Sequence, residues 1–346
     1  MFIDPDNYKN KLLKIINKYD NFIILPHYNP DPDAIASSFG IHYLLNKTFK
    51  KKAEIYFSGI IGRAENNKMI QLLEIPIINL KDDEELPDYP IILMDTQPGT
   101  GNNPLKNNKN LKIIIDHHPI NEKSSRISFA DIRLNYGSCS TIVYNYLKEF
   151  NIKPTVNIAT ALYYGIETDA IGEGRTAFKV DFSYMEDLGK HINREKLYSI
   201  ENPKLPFDYF ININKGLANS VIYNDFVICS LGEIENPDYI GELADFIIRF
   251  DKCYLALVMG TYKNIIQLSF RSQRKKINAG LSIKKIIGRL GTAGGHASSS
   301  GARIHIKDNE DIPKINKKII TNALHIIQGK ITSGVPLLSL GDYLNY

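Results

Sequence analysis

Through the first half of this 346-residue chain, short, largely apolar runs end on residues able to do chemistry. Phe22 to Leu25, Ile91 to Met94 and Leu111 to Ile115 have strand length, and they lead into His27, Asp95 and Asp116. Between and after them the apolar spacing lengthens to that of helices. One begins near Ala34 (AIASSFGIHYLLNK), and one follows Gly137 (GSCSTIVYNYLKEF), with Ile142, Val143, Tyr146 and Leu147 on one face. A further apolar helix spans Ile158 to Ile166. Strands alternating with helices predict an α/β domain, a parallel sheet with helices on both faces.

From about Asp181 to Asp208 the pattern turns charged and proline-interrupted, which predicts a linker with one or two short helices. Beyond it, Val221 to Leu231, Tyr254 to Thr261 and Asn264 to Arg271 read as strands, and Tyr239 to Phe250 and Ser282 to Leu290 as helices. The expected organisation is a larger domain over 1–185, a linker over 186–215 and a smaller mixed α/β domain over 216–346. A chain of this length exceeds what one core usually serves.

Composition narrows the setting. Hydrophobic residues make up 43% of the chain, enough for two cores, and no apolar run approaches the ~20 residues of a membrane span. The N-terminus has neither a basic leader nor an apolar segment, so a cytoplasmic protein with no membrane partner is expected. Cys139, Cys229 and Cys253 are scattered, odd in number and without C-x-x-C spacing, which suggests neither a zinc ribbon nor a disulfide framework and favours buried or neutral thiols. A net charge of +4 is too mild to indicate a long polyanion on a broad basic face, although it allows a short one.

Four segments carry the candidate chemistry. In HYNPDPDAIAS, the His27-x-x-x-Asp31-x-Asp33 spacing sits between a strand and a helix, in a turn stiffened by Pro30 and Pro32. Alone, Asp-Pro-Asp before a helix reads as a cap or turn. Asp95 ends IILMD, Asp116-His117-His118 ends LKIIID, and Asp169 lies in ETDAIG after an apolar helix. Ligands of open parallel sheets bind outside the strand C-termini. Four segments delivering aspartate and histidine to one rim therefore predict a metal site built from His27, Asp31, Asp33, Asp95, His117 and Asp169. Imidazole and carboxylate without thiolate favour Mn²⁺, with Mg²⁺, Fe²⁺ or Co²⁺ as substitutes. Six ligands exceed one ion's need, and two ions roughly 3.5–4 Å apart, sharing a carboxylate and a water, are the economical arrangement for hydrolysing a phosphate ester.

With HYNPDPDAIAS, LMDTQ, IDHHP and ETD in order, the chain resembles the DHH phosphoesterase superfamily. The resemblance implies that residues corresponding to His27, Asp31 and Asp95 hold one metal, and Asp33, Asp95, His117 and Asp169 the other, with Asp95 bridging. It places His118 on substrate phosphate and gives Asp116 a supporting catalytic role that orients a neighbouring imidazole, with metal binding by Asp116 as the alternative. In the second half, SFRSQRKK and GRLGTAGGHASSSGARI are similar to the family's DHH-associated substrate domain, implying phosphate contacts from Arg271, Gly294, Gly295 and His296. Ala293 stands where that subgroup commonly has glycine, a departure that would strain a backbone of positive φ.

Within the resemblance, the absence of a membrane or sensory segment points away from membrane-bound cyclic-dinucleotide hydrolases. The Gly-Gly-His stretch points away from family II pyrophosphatases. What remains resembles two-domain oligoribonucleases acting on short RNA or linear dinucleotides, and also on 3′-phosphoadenosine 5′-phosphate, in a cleft expected between the metal rim and Arg271 and His296. A homodimer is compatible with this reading. The alternatives are a RecJ-type single-strand exonuclease and a non-catalytic nucleotide-binding regulatory protein of the same fold.

Overall fold

A computed structural model describes residues 5–81, 84–105, 107–171, 177–307 and 311–339. It divides into two compact units, Met1–Pro203 and Lys204–Tyr346.

In the first unit, α1 (Pro5–Lys18) precedes β1 (Asn21–Pro26), α2 (Pro32–Phe49), β2 (Lys52–Phe57), α3 (Ala64–Leu73) and β3 (Ile77–Asn79). The chain then crosses back to β4 (Ile91–Met94), β5 (Leu111–Asp116) and β6 (Phe129–Ile132), and continues through α4 (Cys139–Glu149), α5 (Val156–Ile166), α6 (Lys179–Leu188) and α7 (Arg194–Glu201). The strands form one all-parallel sheet in the order β3-β2-β1-β4-β5-β6. Strand order reverses between β1 and β4, which opens a crevice at their C-terminal ends.

One sheet face, with Phe22, Ile24, Ile55, Ile92 and Ile113, packs against α1 to α7. The other, with Ile23, Leu25, Leu93 and Ile114, is closed by Leu86, Tyr89, Leu105 and Ile127. Right-handed crossovers explain the division: β1 to β3 winds α2 and α3 onto one face, while β4 to β6 winds its connections onto the other. Those latter connections are loops and a 3₁₀ turn over Glu122–Arg126 rather than α-helices. Continuous apolar strands announce two buried faces, not what buries them.

Two glycines let the helices over the site approach closely. A Cβ on Gly40 of α2 would lie 2.5 Å from Val143 Cγ1, and one on Gly165 of α5 would lie 2.3 Å from Ser140 Oγ and 3.0 Å from Ala36 Cβ. The unit boundary falls inside the stretch read as a linker. α7 is not free chain, because Leu197 and Ile200 enter the first core. Charge on its outer face hides that short apolar pair.

The second unit runs α8 (Phe207–Ala218), β7 (Ser220–Tyr223), β8 (Phe226–Glu233), α9 (Asp238–Ile247), β9 (Leu255–Tyr262), β10 (Ile265–Ser272), α10 (Ala279–Ile287), β11 (Thr292–Gly295), β12 (Ser299–His305), α11 (Ile312–Gln328) and β13 (Val335–Pro336). Its sheet order is β11-β12-β10-β9-β8-β7-β13, with only the β8–β9 pair parallel among these. α10 and α11 cover one face and α9 the other. The strand expected over Val221 to Leu231 is a hairpin instead. Asn224 takes φ +59° and turns the chain between β7 and β8, a conformation asparagine tolerates.

The tight α2–α4–α5 contact gives a stability prediction. Alanine at a helical glycine gains up to ~1 kcal/mol of propensity, but overpacking costs about 1–3 kcal/mol. Gly165→Ala should therefore lower the denaturation midpoint in a urea melt; a raised midpoint would mean the contact is looser than described.

Candidate metal centre

The crevice at the β1/β4 reversal collects every residue of the six-ligand set. His27 follows β1, and its Nδ1 lies 2.8 Å from the Tyr28 carbonyl. That contact makes Nδ1 the protonated atom and leaves Nε2 as the ligating one. Nε2 lies 3.7 Å from Asp31 Oδ1 and 3.5 Å from Asp95 Oδ2. Asp31 also caps α2, accepting from the Ala34 N–H at 3.0 Å, so the cap reading and the metal reading describe the same carboxylate.

Asp33, in the first turn of α2, is fully buried and aims at the start of α4. Its two oxygens accept from the Cys139 N–H at 2.7 Å and the Ser140 N–H at 2.8 Å. A helix N-terminus thus fixes an internal carboxylate, and the small residues opening α4 let it approach. Asp95 sits at the end of β4 with φ +56° and 3% exposure. Around it lie His27, His117 Nε2 at 3.4 Å and His118 Nδ1 at 3.4 Å. Asp169 arrives on a π-helical turn, Glu167–Ile171, that extends α5, and its Oδ2 lies 3.0 Å from His117 Nε2. Such turns often mark functional sites.

Ligand-capable atoms within 4.8 Å of one another form the groups His27–Asp31–Asp95, Asp33–His117–Asp169 and Asp95–His117–His118. Burial alone would depress the imidazoles, but the carboxylates override it. Asp31 and Asp95 hold His27 well above its ordinary pKa, and Asp95 helps lift His117 and His118 to about 9. Burial and the Asp95 charge push Asp33 up to about 7. Such a pocket attracts cations. His117 Nε2 is buried between the Asp95 and Asp169 carboxylates without a well-aligned hydrogen bond to either, the state of a ligand atom aimed at a metal between them. Together with an oxygen- and nitrogen-rich donor set, this fits divalent metal binding.

Asp116 does not enter those groups. Its Oδ1 accepts from the His117 and His118 N–H groups at 2.8 and 3.2 Å and holds His118 Nδ1 at 2.9 Å, while Oδ2 accepts from Gln97 Nε2 at 2.6 Å. It is a positioning residue for the two histidines. Three further residues escaped the sequence reading. Gln97 braces Asp116, and its Oε1 accepts from the Asn121 N–H and Ser124 Oγ. Its place two residues after Asp95, in LMDTQ, was the available signal. Asp181 accepts from the Gly137 and Phe178 N–H groups and Thr141 Oγ1, anchoring the start of α4. The Cys139 thiol, pushed up by burial and by Asp95, donates to Asp95 Oδ1 at 3.5 Å.

In the second unit, Arg271 Nε and Nη2 bond the Asp245 carboxylate, the latter at 3.1 Å, and Nη1 donates to Ser269 Oγ at 2.8 Å. The glycine stretch is an edge strand, β11, ending in a tight hairpin rather than a loop. Gly294 pairs with Gly301, and Gly295 with Ser300. At Gly295, φ is +144° and a Cβ would lie 2.4 Å from Ser300 Cα, so glycine is required there. Beside Gly294 an added Cβ would meet nothing within 4 Å. Ala293 is absent from the positive-φ residues and pairs with Ala302 in the ladder, so it is unstrained. The His296 N–H donates to the Ser299 carbonyl, opposite Arg271 in the β10–β12 register, which brings Arg271 and His296 to one end of the sheet.

Comparison with known proteins bears on the family and the fold. Residues 21–166 match the model of the DHH family, N-terminal domain. An uncharacterized protein of Methanocaldococcus jannaschii is 32% identical over 86% of this chain, and the chain spans 62% of that relative's length. The bifunctional oligoribonuclease and PAP phosphatase NrnA of Bacillus subtilis is 26% identical over 88% of this chain and 95% of its own. The crystal structure of an exopolyphosphatase-related protein from Bacteroides fragilis shares the fold, with a TM-score of 0.69 and 17% identity over 94% of this chain and 97% of its own. Among the described residues, no helix is long and apolar enough to cross a membrane.

Two outcomes test the centre. Saturating Mn²⁺ should raise the melting temperature of the intact chain, with about 2.7 kcal/mol gained at a hundredfold excess over Kd. Asp95→Asn should abolish that gain; an unchanged shift would remove Asp95 from the centre. Gln97→Ala should destabilise the fold by about 1–3 kcal/mol through the buried partners it strands, and a urea melt matching the parent would contradict its bracing role.

Proposed function

We propose, from a chain whose residues 21–166 match the DHH family, N-terminal domain, that this protein is a two-metal phosphoesterase hydrolysing short oligonucleotides or linear dinucleotides, and 3′-phosphoadenosine 5′-phosphate. One observation carries it: the buried Asp95 carboxylate is shared by a His27–Asp31 side and a His117 side, an arrangement suited to two ions rather than one. His27, Asp31 and Asp95 would hold one, and Asp33, His117 and Asp169, again with Asp95, the other. Bound there, Mn²⁺, or Mg²⁺ or Co²⁺ in its place, supplies Lewis-acid charge to the phosphoryl oxygens and activates water.

The protein's own groups do the positioning. Asp116 holds His118 Nδ1, so we assign the His118 Nε2 side to a phosphoryl oxygen. Asp33, pinned by the first N–H groups of α4, keeps its place as charge builds on the substrate. Arg271 and His296, with the Gly294 and Gly295 backbone, are assigned to a substrate phosphate. Asp245 occupies one edge of the Arg271 fork and fixes its plane, and the guanidinium has five donors in all. The B. subtilis relative, named as an oligoribonuclease and PAP phosphatase, supports the choice of substrate.

Incubating the protein with Mn²⁺ and, in parallel, an RNA dinucleotide, a long single-stranded DNA, 3′-phosphoadenosine 5′-phosphate and pyrophosphate tests the reading. The dinucleotide should turn over fastest or share first place with 3′-phosphoadenosine 5′-phosphate; preference for the long strand or pyrophosphate would overturn it. Asp95→Ala should abolish turnover of every substrate. Arg271→Ala should raise KM about tenfold with kcat little changed, and a pure kcat defect would remove Arg271 from substrate binding.

A further inference from the structure

The mild overall charge conceals a segregation inside the second unit. From Arg274 to Lys307 the sequence has eight lysines and arginines and no aspartate or glutamate, and from Ile312 to Gly341 it has four lysines and again no acid, the three acids between them, Asp308, Glu310 and Asp311, standing before the first residue of α11. These stretches include α10 and α11, which share the sheet face of the core around Phe226, Leu257 and Phe270. The opposite face carries α9, whose acids Asp238, Glu242 and Asp245 stand against no cation within the helix. The two faces of one sheet thus bear helices of opposite charge.

The basic side is available for contact. Lys284, Lys285 and Arg289 at the C-terminal end of α10, and Lys314, Lys317 and Lys318 on α11, are exposed, and none forms an ion pair among the described residues. Asn322 Nδ2 on α11 donates to the Ile286 carbonyl on α10 at 2.9 Å, which ties the two helices into one layer. Their main apolar sides are spent on the core through Ile283, Ile286, Ile287, Ile319 and Leu324, and the apolar side chains left exposed, Leu281 on α10 and Ile326 on α11, are isolated rather than a continuous stripe of the kind a membrane-surface helix presents.

Beside α11 lies a cavity of about 650 Å³, within the range of ligand sites. Lys317 and Thr321 line it together with Tyr223, Ile320 and Leu324. Asn316 also lines it, and a turn of its side chain would bring the carboxamide oxygen, buried and without a hydrogen-bond partner in this structure, to the amino group of a nucleobase. Lysines for phosphates beside a recess that offers one tyrosine, Tyr223, to an unstacked base are elements of single-strand recognition.

We infer that the α10–α11 layer docks single-stranded RNA longer than the substrates cleaved at the metal centre. The choice of RNA among polyanions rests on the nucleotide-phosphoesterase reading. Such docking would keep the protein beside the longer RNA whose degradation releases short oligonucleotides, so the reaction supplying its substrate is RNA cleavage by another nuclease.

The test titrates the intact chain, with chelator present to prevent turnover, into a labelled 20-nucleotide RNA and follows fluorescence anisotropy across a salt series. K314E/K317E/K318E, whose new carboxylates fall in the first half of α11, should weaken binding roughly tenfold and reduce the salt slope by about 2, as expected for three lost phosphate contacts on a single strand. Its circular dichroism and dinucleotide hydrolysis should match the parent. Binding equal to the parent's, no parental binding at low salt, or capture by phosphatidylserine vesicles but not by RNA would each overturn the inference. Dinucleotide hydrolysis by the parent, measured on the same preparation, separates this outcome from failure of the proposed activity.

Discussion

Asp31, Asp33, Asp95 and Asp169 place carboxylates close together at the end of one sheet, three of them buried. Anions so arranged repel one another and have lost the water that would screen them, so the fold persists only with compensating positive charge or N–H groups beside them. Much of the surrounding structure meets that need. The start of α4 turns two N–H groups onto Asp33, Asp95 is ringed by three imidazoles, and Asp116 is saturated by the N–H groups of the residues it positions. In the metal-free protein, protons on the imidazoles supply the charge. Divalent ions supply it more strongly, and metal binding, local stability and catalytic geometry thereby become one problem.

How the site is held explains which parts could be read from sequence. Ligand residues end apolar runs or begin helices, and strand-end placement alone directs them to a common crevice. Asp169 was legible because ETD follows an apolar helix, although the π-helical turn that swings its carboxylate to His117 was not. The bracing groups left no pattern. Gln97 reaches Asp116 across 19 residues and Asp181 reaches Gly137 across 44, and each side chain by itself looks like an ordinary loop or helix polar residue. The Asn224 turn was lost for another reason: apolar residues run on through both hairpin strands, and only two polar residues interrupt them.

Whole-chain averages hid a second feature. A net charge of +4 describes neither helix layer of the second unit, since α9 carries three acids and no lysine or arginine, while α10 and α11, on the other face, carry five lysines and no acid. Strand pairing also recast the glycine stretch. Its backbone N–H and C=O groups serve in part an antiparallel ladder, so of Gly294 and Gly295 only Gly295 is demanded by conformation. Function in this chain is thus divided between a rim whose chemistry is fixed by buried charge and a sheet whose surfaces are chosen by the helices that cover them.

The central claim is that Asp95 joins two metal ions. Crystals of the protein grown with Mn²⁺, measured at the manganese absorption edge, test it most directly. The account predicts two anomalous peaks, one beside His27 and Asp31 and one beside Asp33, His117 and Asp169, with Asp95 bonded to both. A single peak, or two peaks with Asp95 bonded to neither, would contradict it.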